Sequence, residues 1–201
     1  MIKNIVFDVG GVFVIWEPRV IFSRYFATPQ AVEDFMKDID FETVNDKGDR
    51  GFNISEQLKG LIIKFPQYKE VLQAYDRDWL DAITNDVEGS YDMAMQLKRN
   101  GYKVYILSNW EAEKFRIINK QKKFLENFDG YIISGDIGIV KPDLRIYKAL
   151  LDKYNLSAQE CLFFDDKPAN VEAAKEAGFS GLIFTTSAQA KKDLKALDIK
   201  I

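Results

Sequence analysis

Five short runs of β-branched and aromatic residues constrain the fold of this chain more than any other feature: Ile5-Val6-Phe7, Val104-Tyr105-Ile106-Leu107, Tyr131-Ile132-Ile133, Leu162-Phe163-Phe164 and Leu182-Ile183-Phe184. Each has the length of a strand and is apolar throughout, as a strand buried on both faces of a parallel sheet must be. Helical patterns lie between the later runs. Asp92 to Arg99 sets Met93, Ala94 and Leu97 on one side, and Leu144 to Tyr154 does the same with Tyr147, Leu150, Leu151 and Tyr154. Pro168 to Ala177 opens on a proline suited to a first helical turn and closes at Gly178. This alternation predicts an α/β fold with a doubly wound parallel sheet.

The first run stands far from the second. Residues 16–88 carry mostly helical patterns (Val20, Ile21 and Tyr25, later Leu58, Leu61, Ile62 and Phe65), with turn signals at Gly48, Gly51 and Pro66. We therefore expect a core domain of residues 1–15 and 89–201, with an inserted helical cap subdomain over 16–88. An insertion there would cover the carboxyl ends of the strands, where open α/β sheets bind ligands.

Composition narrows the chemistry. The chain has 201 residues and no histidine, which removes histidine general bases, Ser–His–Asp and Cys–His catalysis and most zinc sites. Its one cysteine, Cys161, opens an apolar run and reads as a buried structural thiol. The net charge of −3 argues against a broad nucleic-acid-binding face, and the local cluster Lys120, Lys122 and Lys123 reads as a solvated helix face. No stretch resembles a cleaved leader or approaches a membrane span, so a cytoplasmic protein without nucleic-acid or membrane partners is expected. Oligomeric state is left open. Chemistry must rest on carboxylates, lysines, hydroxyls and backbone amides.

Such groups recur where the runs end. Asp8-Val9-Gly10-Gly11-Val12 follows the first run, Ser108-Asn109 the second, and Asp165-Asp166 the fourth, while Lys141-Pro142-Asp143 lies beyond the third. In this order the four features resemble the motifs of the haloacid dehalogenase-like superfamily across nearly the whole chain. The branch they look most similar to carries a helical cap after the first strand and includes sugar-1-phosphate phosphatases and the phosphatase domain of epoxide hydrolases.

That resemblance implies a magnesium-dependent phosphatase acting on a small phosphorylated molecule. Asp8 would be the nucleophile, forming an aspartyl phosphate that water then hydrolyses. Mg²⁺ would be held by Asp8, the backbone carbonyl of Gly10 and Asp166, with Asp165 direct or through water; hard oxygen ligands suit that ion. Ser108 and Asn109 would donate hydrogen bonds to the phosphoryl oxygens. Lys141 would neutralise charge between nucleophile and phosphate, and Asn170 would orient Ser108 or Lys141.

One position departs from the family pattern. Most family phosphatases place a second aspartate two residues after the nucleophile, as acid to the leaving group and base to water. Here that position is Gly10, whose carbonyl can bind metal but whose side chain cannot move a proton. Leaving groups that need little protonation suffer least, which leans the reading toward a sugar 1-phosphate. Glu17, Asp46 and Asp49 are candidates to supply the proton. Trp16, Asn45, Arg50 and Trp110 are candidates to line the substrate pocket. Two alternatives are a metal-independent 2-haloacid dehalogenase and a non-catalytic protein that only binds a phosphorylated ligand.

Overall fold

The computed structural model describes residues 1–201, except for the side chain at position 125. Strand β1 (Asn4–Phe7) runs into a tight turn and then β2 (Val14–Trp16). There follow helices α1 (Arg19–Phe22), α2 (Pro29–Asp38), α3 (Phe41–Asp49), α4 (Ile54–Lys64) and α5 (Lys69–Arg77), and the chain returns through β3 (Ile83–Asp86). The remainder alternates: α6 (Ser90–Arg99), β4 (Lys103–Ser108), α7 (Ala112–Lys122), α8 (Phe124–Asn127), β5 (Gly130–Ile133), α9 (Ser134–Ile137) and α10 (Leu144–Tyr154). It ends with β6 (Cys161–Asp165), α11 (Pro168–Glu176), β7 (Ser180–Ile183) and α12 (Ser187–Ala196).

The expected sheet forms, with strand order β5-β4-β1-β6-β7 and every pairing parallel. Alternate side chains of each strand feed two cores. Ile5, Phe7, Val104, Ile106, Leu162 and Phe164 pack with Met93 and Leu97 of α6 and Leu194 of α12. Val6, Tyr105, Leu107 and Phe163 face Ile146, Tyr147 and Leu150 of α10 and Ala174 of α11. This division is why the strands read as continuous apolar runs rather than alternating ones.

Local signals place the helices. Asp143 caps α10 by accepting from Arg145 N, and Asn155 ends it in a left-handed conformation. Pro168 occupies the first turn of α11, where its missing N–H costs nothing. The run expected at Leu182–Phe184 begins earlier, as β7 at Ser180, and Phe184 lies just beyond it. Gly48 is not a turn residue: it sits inside α3, packed against Ile54.

The antiparallel β2–β3 ribbon was not expected from the sequence. Its strands are short, and its partners lie some seventy positions apart, with Val14 opposite Asp86. A helical segment hangs from this ribbon, and its aromatic residues are continuous with the core on one face of the sheet. Phe22 meets Phe35, Phe41 and Tyr75 at centroid separations of 5.1, 5.3 and 5.2 Å. Phe22 is fully buried, so Phe22→Ala should cost about 3–5 kcal/mol. Thermal denaturation should then show a melting temperature lower by roughly 6–20 °C.

Candidate active site

The carboxyl ends of β1, β4 and β6 meet at one point. Asp8, just past β1, points a carboxylate at the end of β4, where Ser108 Oγ donates to its Oδ1 at 2.6 Å. The backbone N–H of Val9 donates to the same oxygen at 2.7 Å. The other oxygen, Oδ2, lies 3.0 Å from Lys141 Nζ. Lys141 Nζ also reaches Asp165 Oδ2 at 2.6 Å. The Lys141 and Asp165 side chains are completely buried and that of Asp8 is 9% exposed, so these ion pairs are shielded from solvent.

Two asparagines hold this arrangement. The Asn109 side chain donates to Lys141 O at 3.0 Å and accepts from Lys141 N at 2.7 Å, clamping the lysine-bearing loop to the end of β4. Asn170 donates to both oxygens of Asp165 at 3.0 Å, where the sequence had suggested Ser108 or Lys141 as its partner. Asp165 Oδ1 also accepts from Lys167 N at 2.8 Å. Both oxygens of Asp165 are thus committed. Asp166 is exposed, and one oxygen from each of Asp8, Asp165 and Asp166 lies within 4.8 Å of the others, a group able to hold a metal ion.

The electrostatics follow from burial. Burial raises the Asp8 carboxyl to about 6; Lys141 opposes that shift and the Asp165 charge adds to it. For Lys141 burial works against the charge, but Asp8 and Asp165 outweigh it and hold the ammonium above its ordinary value. Asp166, although exposed, is raised by partial desolvation within the cluster and by the neighbouring Asp165. Three carboxylates face one ammonium, so the site favours added positive charge.

Glycine matters at one neighbouring position. Gly11 has φ of +73°, and a Cβ there would lie 2.5 Å from Asp166 Oδ2. Only glycine lets the β1 turn pass so close to that carboxylate. Gly10 is different: a Cβ there would meet nothing nearer than Trp110 Cζ3 at 3.8 Å.

A cavity of about 290 Å³ opens over these groups, lined by Asp8, Gly10, Asn109, Asp166 and Asn170 below. Trp16, Trp79 and Trp110, which are all the tryptophans of the chain, form its walls with Ile15 and Ile54. Asn45 and Asp49 reach it from α3, and Glu111 and Lys114 from the start of α7. Trp16, Asn45 and Trp110 therefore lie where the sequence suggested. Arg50 does not line the cavity; it is exposed and binds Asp46 one helical turn back, at 2.8 Å. Trp79 and Lys114 were missed. Trp79 sits in an irregular turn before β3, and Lys114 is buried under it, 3.0 Å from Asp76.

A family model described as haloacid dehalogenase-like hydrolase matches residues 2–178. The chain belongs to that family. This haloacid dehalogenase-like hydrolase is 31% identical to a sesquiterpene phosphatase of Aspergillus oryzae, over 97% of this chain and 96% of that protein. It is 25% identical to a D-ribitol-5-phosphate phosphatase of Bacteroides thetaiotaomicron, over 89% of this chain and 90% of that one. Among solved structures, it resembles a family enzyme of the latter organism in complex with magnesium and inorganic phosphate. The TM-score is 0.73 at 22% identity, covering 93% of this chain and 96% of that chain, and this likeness is one of fold. No helix among the described residues is long and apolar enough to cross a membrane.

Breaking the buried cluster has a defined cost. Lys141→Ala leaves Asp8 and Asp165 without their cation and should destabilise the protein by about 3–5 kcal/mol near neutral pH. Asp8 has a folded-state pKa above its unfolded value. It therefore favours folding while protonated, a contribution lost as pH rises from the usual carboxylate range through about 6. Without the lysine that penalty grows, so urea denaturation should show a larger loss for the variant at pH 8 than at pH 5.5.

Proposed function

We propose that this hydrolase is a magnesium-dependent phosphatase that cleaves a small phosphate monoester through an aspartyl phosphate on Asp8. The observation that carries the reading is the position of Lys141, whose ammonium lies 3.0 Å from Asp8 Oδ2 and 2.6 Å from Asp165. A lysine so placed keeps Asp8 ionised and neutralises an incoming phosphoryl group. The phosphatase names of the relatives point the same way.

In this reading Asp8 attacks phosphorus in line, a transfer that depends chiefly on positioning and charge neutralisation. Ser108 fixes the attacking carboxylate through its bond to Oδ1. The Asn109 side chain is occupied with the Lys141 loop, so its contribution to phosphate is the backbone amide. Asp166, Asp8 and the carbonyl of Gly10 would hold Mg²⁺, with Asp165 acting through water because its oxygens are already bonded. When bound, the ion balances the carboxylates and phosphate that Lys141 alone cannot.

Residues 16–88 serve as the cap, and through Trp16, Asn45, Asp49 and Trp79 they set the shape of the leaving-group site. Three indole rings call for an alcohol with an apolar face, which a sugar ring and a short hydrocarbon chain both offer. Trp16 Nε1 is buried with no partner among the described residues, and a ligand oxygen would satisfy it.

A phosphate-monoester panel with Mg²⁺ tests this reading. Turnover should vanish with Asp8→Asn and with a chelator, and return on adding Mg²⁺. Chelator-resistant ester turnover would overturn the metal requirement; halide release from a 2-haloacid with no ester turnover would fit the dehalogenase alternative, and neither activity the binding-only one. A second outcome concerns pH. Binding of the ion must displace a proton from Asp8, so Mg²⁺ affinity measured by titration calorimetry should fall as pH drops below about 6.

A further inference from the structure

The phosphatase reading leaves one task without a residue. An alcohol leaving group needs a proton and the attacking water must lose one, yet position 10 carries no side chain. The space at Gly10 is open, so some other group must face the same part of the cavity. The three acids that the sequence offers can be separated by where they lie.

Glu17 is bonded to Arg19 and is absent from the cavity lining. Asp46 is bonded to Arg50, on the exposed side of α3. Asp49 lies one turn on in the same helix, but its side chain lines the cavity beside Asp8, Gly10 and Asp166. Its hydrogen bond is a long one, 3.5 Å from Asn45 Nδ2, and it forms no ion pair among the described residues. A half-buried carboxyl with so little holding its charge is free to carry a proton.

We propose that Asp49 is the catalytic acid and base of this enzyme, protonating the departing alcohol oxygen and then deprotonating the water that cleaves the aspartyl phosphate. This rests on the phosphatase reading above. In the first step the Asp8 carboxylate oxygen bonds to phosphorus as the phosphorus–alkoxide bond breaks, and the Asp49 proton passes to the alkoxide oxygen. In the second, the Asp49 carboxylate takes a proton from water while the hydroxyl oxygen bonds to phosphorus. The bond to Asp8 breaks, inorganic phosphate leaves, and Asp49 is protonated again.

The surroundings suit both directions. Burial pushes the Asp49 carboxyl up to about 7; Lys167 of the loop after β6 opposes the shift, Asp46 and Asp8 add to it, and Lys141 opposes it more weakly. Asp166, Glu111 and Lys114 complete the charged groups around the cavity. A proton-transfer group poised near the working pH serves equally as acid and as base.

The test uses phosphate esters of similar size and different leaving ability: p-nitrophenyl, phenyl and benzyl phosphate. Because kcat/KM reports on steps through release of the alcohol, a missing acid shows there as a function of leaving group. For Asp49→Asn, kcat/KM on benzyl phosphate should fall by roughly 10²–10⁴, while that on p-nitrophenyl phosphate changes less than about tenfold. The wild-type kcat/KM profile should carry a basic limb near pH 7, where Asp49 loses its proton, and Asp49→Asn should lack that limb. Glu17→Gln, at an acid outside the cavity lining, should leave all three esters unaffected. An equal loss on every ester, or none on benzyl phosphate, would overturn the role of Asp49 alone. Failure of the wild type to hydrolyse any of the three, or retained turnover in Asp8→Asn, would overturn the phosphatase reading and this inference with it.

Discussion

Everything at the site depends on one buried ammonium. Lys141 sits between Asp8 and Asp165 with its side chain fully buried, and its two contacts tie the end of β1 to the end of β6. Burying one lysine and two carboxylates is costly, and the attraction repays it only when the remaining hydrogen bonds are also made. Here they are. Asp165 is closed by Asn170 and a backbone amide, and Asp8 by Ser108 and a backbone amide. Compensation still stops short, because a third carboxylate, Asp166, adds negative charge beside them. Three carboxylates against one ammonium leave the site two positive charges short, a deficit of the size a divalent cation carries.

The sheet makes this concentration of charge tolerable. Parallel strands deliver their carboxyl ends to one edge, so groups separated by more than a hundred residues meet without long loops. Beneath them Phe7 stacks on Phe164 at 5.5 Å, directly before Asp8 and Asp165 in the chain. Rigid aromatic packing under the carboxylates limits how far they can move apart. The same layout leaves the far side of the site to the helical segment between β2 and β3, where specificity can change without disturbing the charged cluster.

Much of this was legible from sequence because strand ends are marked by sudden polarity: Phe7-Asp8, Leu107-Ser108 and Phe164-Asp165 each pass from apolar to polar in one step. The β2–β3 ribbon was not, since Thr84, Asn85 and Asp86 carry no strand pattern and pair with residues far along the chain. Arg50 was named as a polar residue near a predicted loop end, but it turns outward to Asp46, one helical turn earlier. Trp79 gave no signal because its position depends on how the segment closes, with its ring 6.1 Å from that of Trp110. Asn170 was expected to orient Ser108 or Lys141, and its hydrogen-bond partner, Asp165, could be known only from three-dimensional geometry.

The account stands on Asp8 being an ionised nucleophile rather than a buried structural acid. Rapid acid quenching during a single turnover, followed by peptide mass analysis, tests that directly. A phosphoryl group should appear on the peptide containing Asp8, rising and decaying as substrate is consumed. Its appearance on another residue, or consumption of substrate with no acyl phosphate at any time point, would contradict it.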